Sequence, residues 1–215
     1  MTGLYLPVSL GEAIDKLTIL DIKLARISDT RRADVLVEYT LLHEKLVPYI
    51  EQHKTLYESM RKVNLAIWDY MDDLRDGTLS EDAYFRLCKK TIEYNDIRFR
   101  IKNKINNAAG SLLKEQKGYK VNSILIELND SLTSITEFIN PIRYYSCLYD
   151  QVVVVYKGSL DLASAFSEDP TILVVPVVDT CGVFKQRFQF HHGAYSKEEV
   201  LIIFQITEAA MNKIL

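Results

Sequence analysis

A chain of 215 residues with 48% hydrophobic side chains can bury a substantial core, in one large or two small domains. No apolar run approaches the ~20 residues that cross a bilayer, and the first residues lack the basic start and apolar centre of a secretory leader, so the cytoplasm is the expected location. The net charge is −3, and Cys88, Cys147 and Cys181 are far apart with no C-x-x-C pair, so neither a disulfide framework nor a zinc site is expected.

After Pro7, the order Ser9-Leu10-Gly11-Glu12 has the S-x-x-E form of a capping box and opens a helix. Leu10, Ile14, Leu17, Leu24 and Ile27 make its apolar stripe, while Asp15 and Asp21 have no obvious place on it. A second helix is predicted from about Arg31 to Val47, with a kink or short break at Pro48. The strongest periodicity follows, in a predicted helical hairpin within residues 50–112. On its first arm Leu56, Met60, Val63, Ile67, Tyr70 and Leu74 alternate steps of four and three, the seam of a helix packed lengthwise on a partner. Gly77 ends that arm, and Ser80 caps the second, with Glu81 and Asp82 in its first turn. Antiparallel packing is expected.

Polar residues run along both arms. Asn64, Asp72, Asn95, Asp96 and Lys102 are expected to be partly buried and hydrogen-bonded, as a structural network that fixes helix register. Residues 86–120 hold 10 basic and 3 acidic side chains inside an otherwise acidic protein. Such a segment either attracts an anionic partner or is neutralised by acidic segments packed beside it, the commoner outcome. Arg98, Arg100, Lys102 and Lys104 alternate around their helix and cannot share one face, so no nucleic-acid groove is expected.

Three ordered motifs stand out in this part: Ser9-x-Gly11-Glu12-x-x-Asp15-Lys16-x-Thr18, then Val63-Asn64-x-x-Ile67-Trp68, then Asn95-Asp96-x-Arg98-x-x-Ile101-Lys102-x-x-Ile105-Asn106. Over residues 9–119 the chain resembles an uncharacterised bacterial protein family, a domain of unknown function associated with glycosyltransferases and surface-polysaccharide genes. The resemblance implies a sugar-related setting and names no active site. Met71 stands where the family pattern has an acid, so the resemblance implies no carboxylate-pair chemistry there.

Gly110 and Gly118 mark a boundary, giving a helical domain over residues 1–118 and a small α/β domain over 119–215. In the second, the β-branched runs at 123–128, 151–156 and 171–175 read as strands, with helices at 132–148 and 160–166 between them. That alternation predicts a three-stranded parallel α/β unit, and Asn140-Pro141 is a candidate break in its first helix. Ser196-Lys197-Glu198-Glu199 repeats the capping box and opens a terminal helix with Val200, Phe204, Thr207 and Met211 on one side. The fold class is thus α+β or α/β, a helical bundle followed by a small sheet.

Ligands of open α/β sheets bind outside the carboxyl ends of the strands, where Lys157, Asp179, and the basic segment with Lys185, Arg187 and His191 are the candidates for an anionic ligand. Asp130, Ser131 and Ser159 are equally well explained as helix caps. His191 and His192 are adjacent, and His43 and His53 lack H-E-x-x-H spacing, so no metal site is expected, nor any cofactor. Without a nucleophile signature, the favoured function is a non-catalytic binding or assembly protein, presenting helical faces to itself as a homodimer or to a partner protein. The alternative is a glycosyltransferase-like enzyme, or one binding a nucleotide sugar or sugar phosphate at the carboxyl ends of the strands.

Overall fold

The computed structural model describes residues 6–118, 121–178 and 183–215. The chain divides into two compact units, Met1–Gln116 and Lys117–Leu215.

The first unit is four helices: α1 (Leu10–Arg26), α2 (Arg31–Gln52), α3 (Lys54–Asp76) and α4 (Glu81–Ala108). The Ser9 hydroxyl accepts the Glu12 N–H and starts α1, and Ser80 does the same for α4 through Ala83. Gly77, in the left-handed region at φ 74°, ends α3 and lets α4 fold back along it. Pro48 does not end α2. It lies inside the helix on the exposed side, where water can satisfy the carbonyl it leaves unbonded, and the break comes instead at His53, at φ −120°.

The core of this unit is Ile14, Leu17 and Leu20 of α1, Met60 and Val63 of α3, and Ile97, Ile101 and Ile105 of α4. The heptad seam is therefore real but graded: Met60 and Val63 are fully buried, whereas Leu56, Ile67, Tyr70 and Leu74 are half-buried. For Tyr70 and Leu74 the reason is length. α1 has 17 residues against 23 and 28 in α3 and α4, and its last turn is marked by Arg26 bonded to Asp69 at 2.8 Å. Beyond that point Tyr70 and Leu74 lie on α3 toward the Gly77 turn.

The second unit is a four-stranded parallel sheet of order β3-β2-β1-β4, with β1 (Ser123–Glu127), β2 (Gln151–Val155), β3 (Ile172–Val175) and β4 (Gln186–Gln189). The fourth strand extends the three-stranded sheet expected from the sequence. It pairs in parallel with β1, Leu125 opposite Arg187 and Ile126 opposite Phe188. Helices α5 (Thr136–Leu148), α6 (Leu162–Ala165) and α7 (Lys197–Phe204) contribute to one core with Ile124, Ile126, Val152, Val154, Ile172 and Phe188, which share one face of the sheet by their period of two. Pro141 sits inside α5 without breaking it. The terminal helix is two pieces: Gln205 turns left-handed at φ 55°, and Thr207, rather than lining a continuous face, caps α8 (Glu208–Asn212) by accepting the Ala210 N–H.

Candidate functional site

The three motifs of the helical unit converge on one buried acid. Asp15, 1% exposed on α1, receives Arg98 of α4 in a two-point clamp, Nε to Oδ1 at 2.8 Å and Nη2 to Oδ2 at 2.6 Å. The amide of Asn64 on α3 donates to the same Oδ1 at 2.8 Å and lies 2.9 Å from Thr18 Oγ1, while the Thr18 hydroxyl donates to the Asp15 carbonyl. Thus α1, α3 and α4 each supply a member. The carboxylate beside it raises the Arg98 pKa further, its hydrogen bonds outweighing desolvation.

One turn toward the start of α1, Lys102 Nζ bridges Glu12 at 3.0 Å and Glu115 at 2.5 Å. Burial works against this ammonium, but its hydrogen bonds to Glu115 and Glu12 win and its pKa is raised. The Glu12 side chain therefore serves Lys102, leaving the box at Ser9 with only its serine half. Asn106 Oδ1 then accepts the Gly11 N–H at 2.7 Å. Gly11 is required here, because a Cβ would fall against the Lys102 carbonyl oxygen and 2.9 Å from Asn106 Oδ1.

Of the residues expected in the structural network, Asn64 and Lys102 are buried and bonded, and Asp96 is half-buried. Asp72 and Asn95 are exposed, and Asn95 donates to the Thr91 carbonyl of its own helix. The network centres on α1 rather than on the α3–α4 contact, because α1 carries the buried acid. A second polar link lies nearby: Tyr57 of α3 donates to Asp21 of α1 in a very short bond, and Tyr39, stacked on His43 at 5.1 Å, faces the same carboxylate.

Chemically, Asp15 is a clamp. Its oxygens take Arg98 twice and Asn64 once, in a site closed to water. What the sequence showed was an acid without a place on an apolar stripe, itself the signal of a buried charge that must have partners.

In the sheet unit the four described candidate ligand residues lie at different places on the sheet. Lys157 follows β2 and His191 follows β4, so both lie at the carboxyl edge and both are exposed. Lys185 precedes β4 at the opposite edge, its N–H donating to the Ser123 carbonyl. Six residue steps along the chain, at most about 20 Å, separate it from His191. Arg187 is mid-strand and exposed on an edge strand, its guanidinium 5.3 Å from the Phe184 ring. Asp179 lies outside the described residues. The basic segment is itself a strand of the sheet, and so does not fold over the strand ends.

That carboxyl edge is tied together by its own side chains. Asn129 donates to the His191 carbonyl at 2.8 Å and accepts from the Ser131 N–H, Asp130 accepts the Lys157 N–H at 3.0 Å, and Thr133 donates to the Gly193 carbonyl. Asp130 and Ser131 thus tie the loop rather than cap α5, and the cap of α6 is Asp161, not Ser159. Among the described residues no group of three or more His, Cys, Asp or Glu is placed to hold a metal ion, and no helix is long and apolar enough to cross a membrane.

A helical unit clamped through a buried acid, joined to a small parallel sheet, defines an α+β protein. Residues 4–140 match the model of a family of unknown function, DUF6165, and the chain belongs to that family. The match runs past the helical unit through β1 into α5. No curated protein and no solved structure matches the chain.

Proposed function

We propose that this chain is a non-catalytic binding or assembly protein, which engages a second copy of itself or a partner protein through helical surfaces. The observation that carries this reading is the clamp at Asp15. A catalytic carboxylate must offer an oxygen to substrate, and Asp15 is 1% exposed with both oxygens engaged by Arg98. The outward surface supports the same reading, since Val37 and Leu41 on α2 and Phe85 and Ile92 on α4 are 55 to 64% exposed. Cytoplasmic action belongs to the proposal, with Cys88 and Cys147 as reduced thiols.

A second reading is favoured by the strand order. The chain reverses direction across the sheet between β1 and β4, and ligands of open α/β sheets collect at such a reversal, here beside the exposed Lys157 and His191. On that reading the protein is glycosyltransferase-like or binds a nucleotide sugar or sugar phosphate, in keeping with the polysaccharide setting that the motif resemblance implies. Thermal denaturation against a set of nucleotide sugars and sugar phosphates separates the two. A ligand at 100 times its Kd stabilises by about 2.7 kcal/mol. Assembly predicts no shift with any of them, and a shift lost in Lys157→Ala would replace the first reading with the second.

A further inference from the structure

Within the sheet unit, α5, α7 and α8 together line a cavity of about 100 Å³. α8 reaches α5 because the left-handed Gln205 ends α7 and turns the chain there. Glu137, Asn140 and Pro141, at i, i+3 and i+4, share one face of α5 and line the cavity from one side, while Leu201 lines it from α7 and Met211 and Asn212 from α8. Pro141 and Met211 are buried and Leu201 is half-buried, so the floor is apolar. The rim is polar. Lys197 and Glu208 stand on it paired with each other, so their charges cancel. Among the described residues, the side chains of Glu137, Asn140 and Asn212 make no hydrogen bond or ion pair, and of these three only Glu137, half-buried, carries a charge.

We infer that this cavity is a binding site for a small primary amine, taken as its ammonium ion at the rim with its alkyl part against the floor. An ammonium group has three N–H donors and no acceptor. Glu137, Asn140 and Asn212 each offer it an acceptor oxygen, and the bond to the carboxylate is charge-assisted and so the strongest of them. A carboxylate or phosphate would meet Glu137 as a like charge, and an alcohol has one donor and no charge to offer. Size narrows the class further. The volume is well under the roughly 300 Å³ at which drug-sized ligands are enclosed, so the cavity takes an end group of a few heavy atoms and leaves the rest of a longer molecule outside. Neither Lys157 nor His191 lines it, and the inference stands apart from both readings above.

Titration of the nitrogen-15-labelled full chain with n-butylamine hydrochloride into the tens of millimolar, at constant pH and ionic strength and followed by amide chemical shifts, tests this. Butan-1-ol and butyrate serve as matched probes without the ammonium. Expected is a saturable shift with butylamine, binding at least tenfold weaker for butan-1-ol, and none for butyrate. Glu137→Gln keeps the shape, removes the charge and should weaken butylamine tenfold or more; Asn212→Leu should weaken it severalfold. Glu137 also favours the start of α5 electrostatically, so far-UV circular dichroism is read for each variant, and the exposed Asn212 keeps the test decisive if Glu137→Gln unfolds. A linear response to butylamine overturns the inference, as does binding that butan-1-ol equals or that folded variants leave unchanged. The assembly reading fails separately, on a sugar-ligand shift in the thermal assay.

Discussion

Arg98 and Asp15 lie 83 residues apart in sequence and meet through two hydrogen bonds, with the acid 1% exposed and the arginine side chain 26% exposed. The acid, removed from water, is stable in its charged form only because Arg98 satisfies it, and Asn64 satisfies part of what remains. Removing Arg98 leaves Asp15 charged and dry. Arg98→Met should therefore cost about 3 to 5 kcal/mol in urea denaturation, whereas the double variant Asp15→Leu with Arg98→Met should cost far less, because the uncompensated charge is gone. A single variant costing under about 1 kcal/mol would mean that water reaches the carboxylate and that the pair is an ordinary surface bridge.

Gly11 and Lys102 are a backbone contact, and this makes the position sensitive to a single methyl group. The Cβ of Gly11→Ala would meet the Lys102 carbonyl oxygen, which is held in α4 and cannot rotate away. α1 must then shift off α4, disturbing the Glu12–Lys102 pair and the Asn106 bond together. The expected loss is about 1 to 3 kcal/mol, as for overpacked sites, read as a lower urea midpoint at unchanged slope. Were the variant as stable as the parent, α1 and α4 would not be in close contact at this point.

The same two contacts show what a sequence can and cannot reveal. Ser9, Gly77, Ser80, Ser196 and Glu199 act on backbone groups within a few residues of themselves, so their roles could be read from spacing alone. Asp15 could be seen only as misplaced, because Asn64 and Arg98, which explain it, arrive through tertiary packing from 49 and 83 residues away. Lys185 and Arg187 read as ligand groups because the pairing of their strand with β1, at the edge of the sheet, is a long-range contact that local spacing does not show. There, exposed charges deter pairing with another chain. Glu12 satisfied the pattern of a capping box, yet its carboxylate is taken by Lys102, a competitor that local spacing cannot disclose.

Alkaline pH should destabilise this protein earlier than a set of surface tyrosines would. Burial, then the bond to Asp21, raises the Tyr57 phenol well above its ordinary value; burial, then Tyr70, pushes Tyr94 up to about 12; and burial, then Tyr149 and Tyr144, raises Tyr145. Each group binds its proton more tightly folded than unfolded. Its stabilising contribution is thus complete below about pH 10, the unfolded value, and is lost as pH rises above it, through about 12 for Tyr94. Lys102, also raised, adds in the same direction. Thermal midpoints should fall steeply above about pH 10, with three phenols titrating late in ultraviolet absorbance, and Tyr145→Phe should flatten the fall. A flat profile through that range would show that these phenols are open to water.

Gln205 occupies a conformation that normally belongs to glycine. It closes α7 at φ 55° and ψ 39°, with its own N–H donating to the Ile202 carbonyl and the next N–H, of Ile206, donating to Leu201. These two bonds are the pair that ends a helix in a left-handed residue, and they position Phe204, fully buried, whose carbonyl accepts the Tyr145 hydroxyl. A residue with a Cβ is strained there by roughly 1 to 2 kcal/mol. Glycine would relieve that strain and in turn would make the unfolded chain more flexible, which offsets about 0.4 to 1 kcal/mol of the gain. Gln205→Gly should therefore stabilise the protein by roughly 0.5 to 1 kcal/mol, and Gln205→Val, β-branched and exposed, should destabilise it. Urea midpoints moving in the opposite order would mean that the α7–α8 junction is not held left-handed in solution.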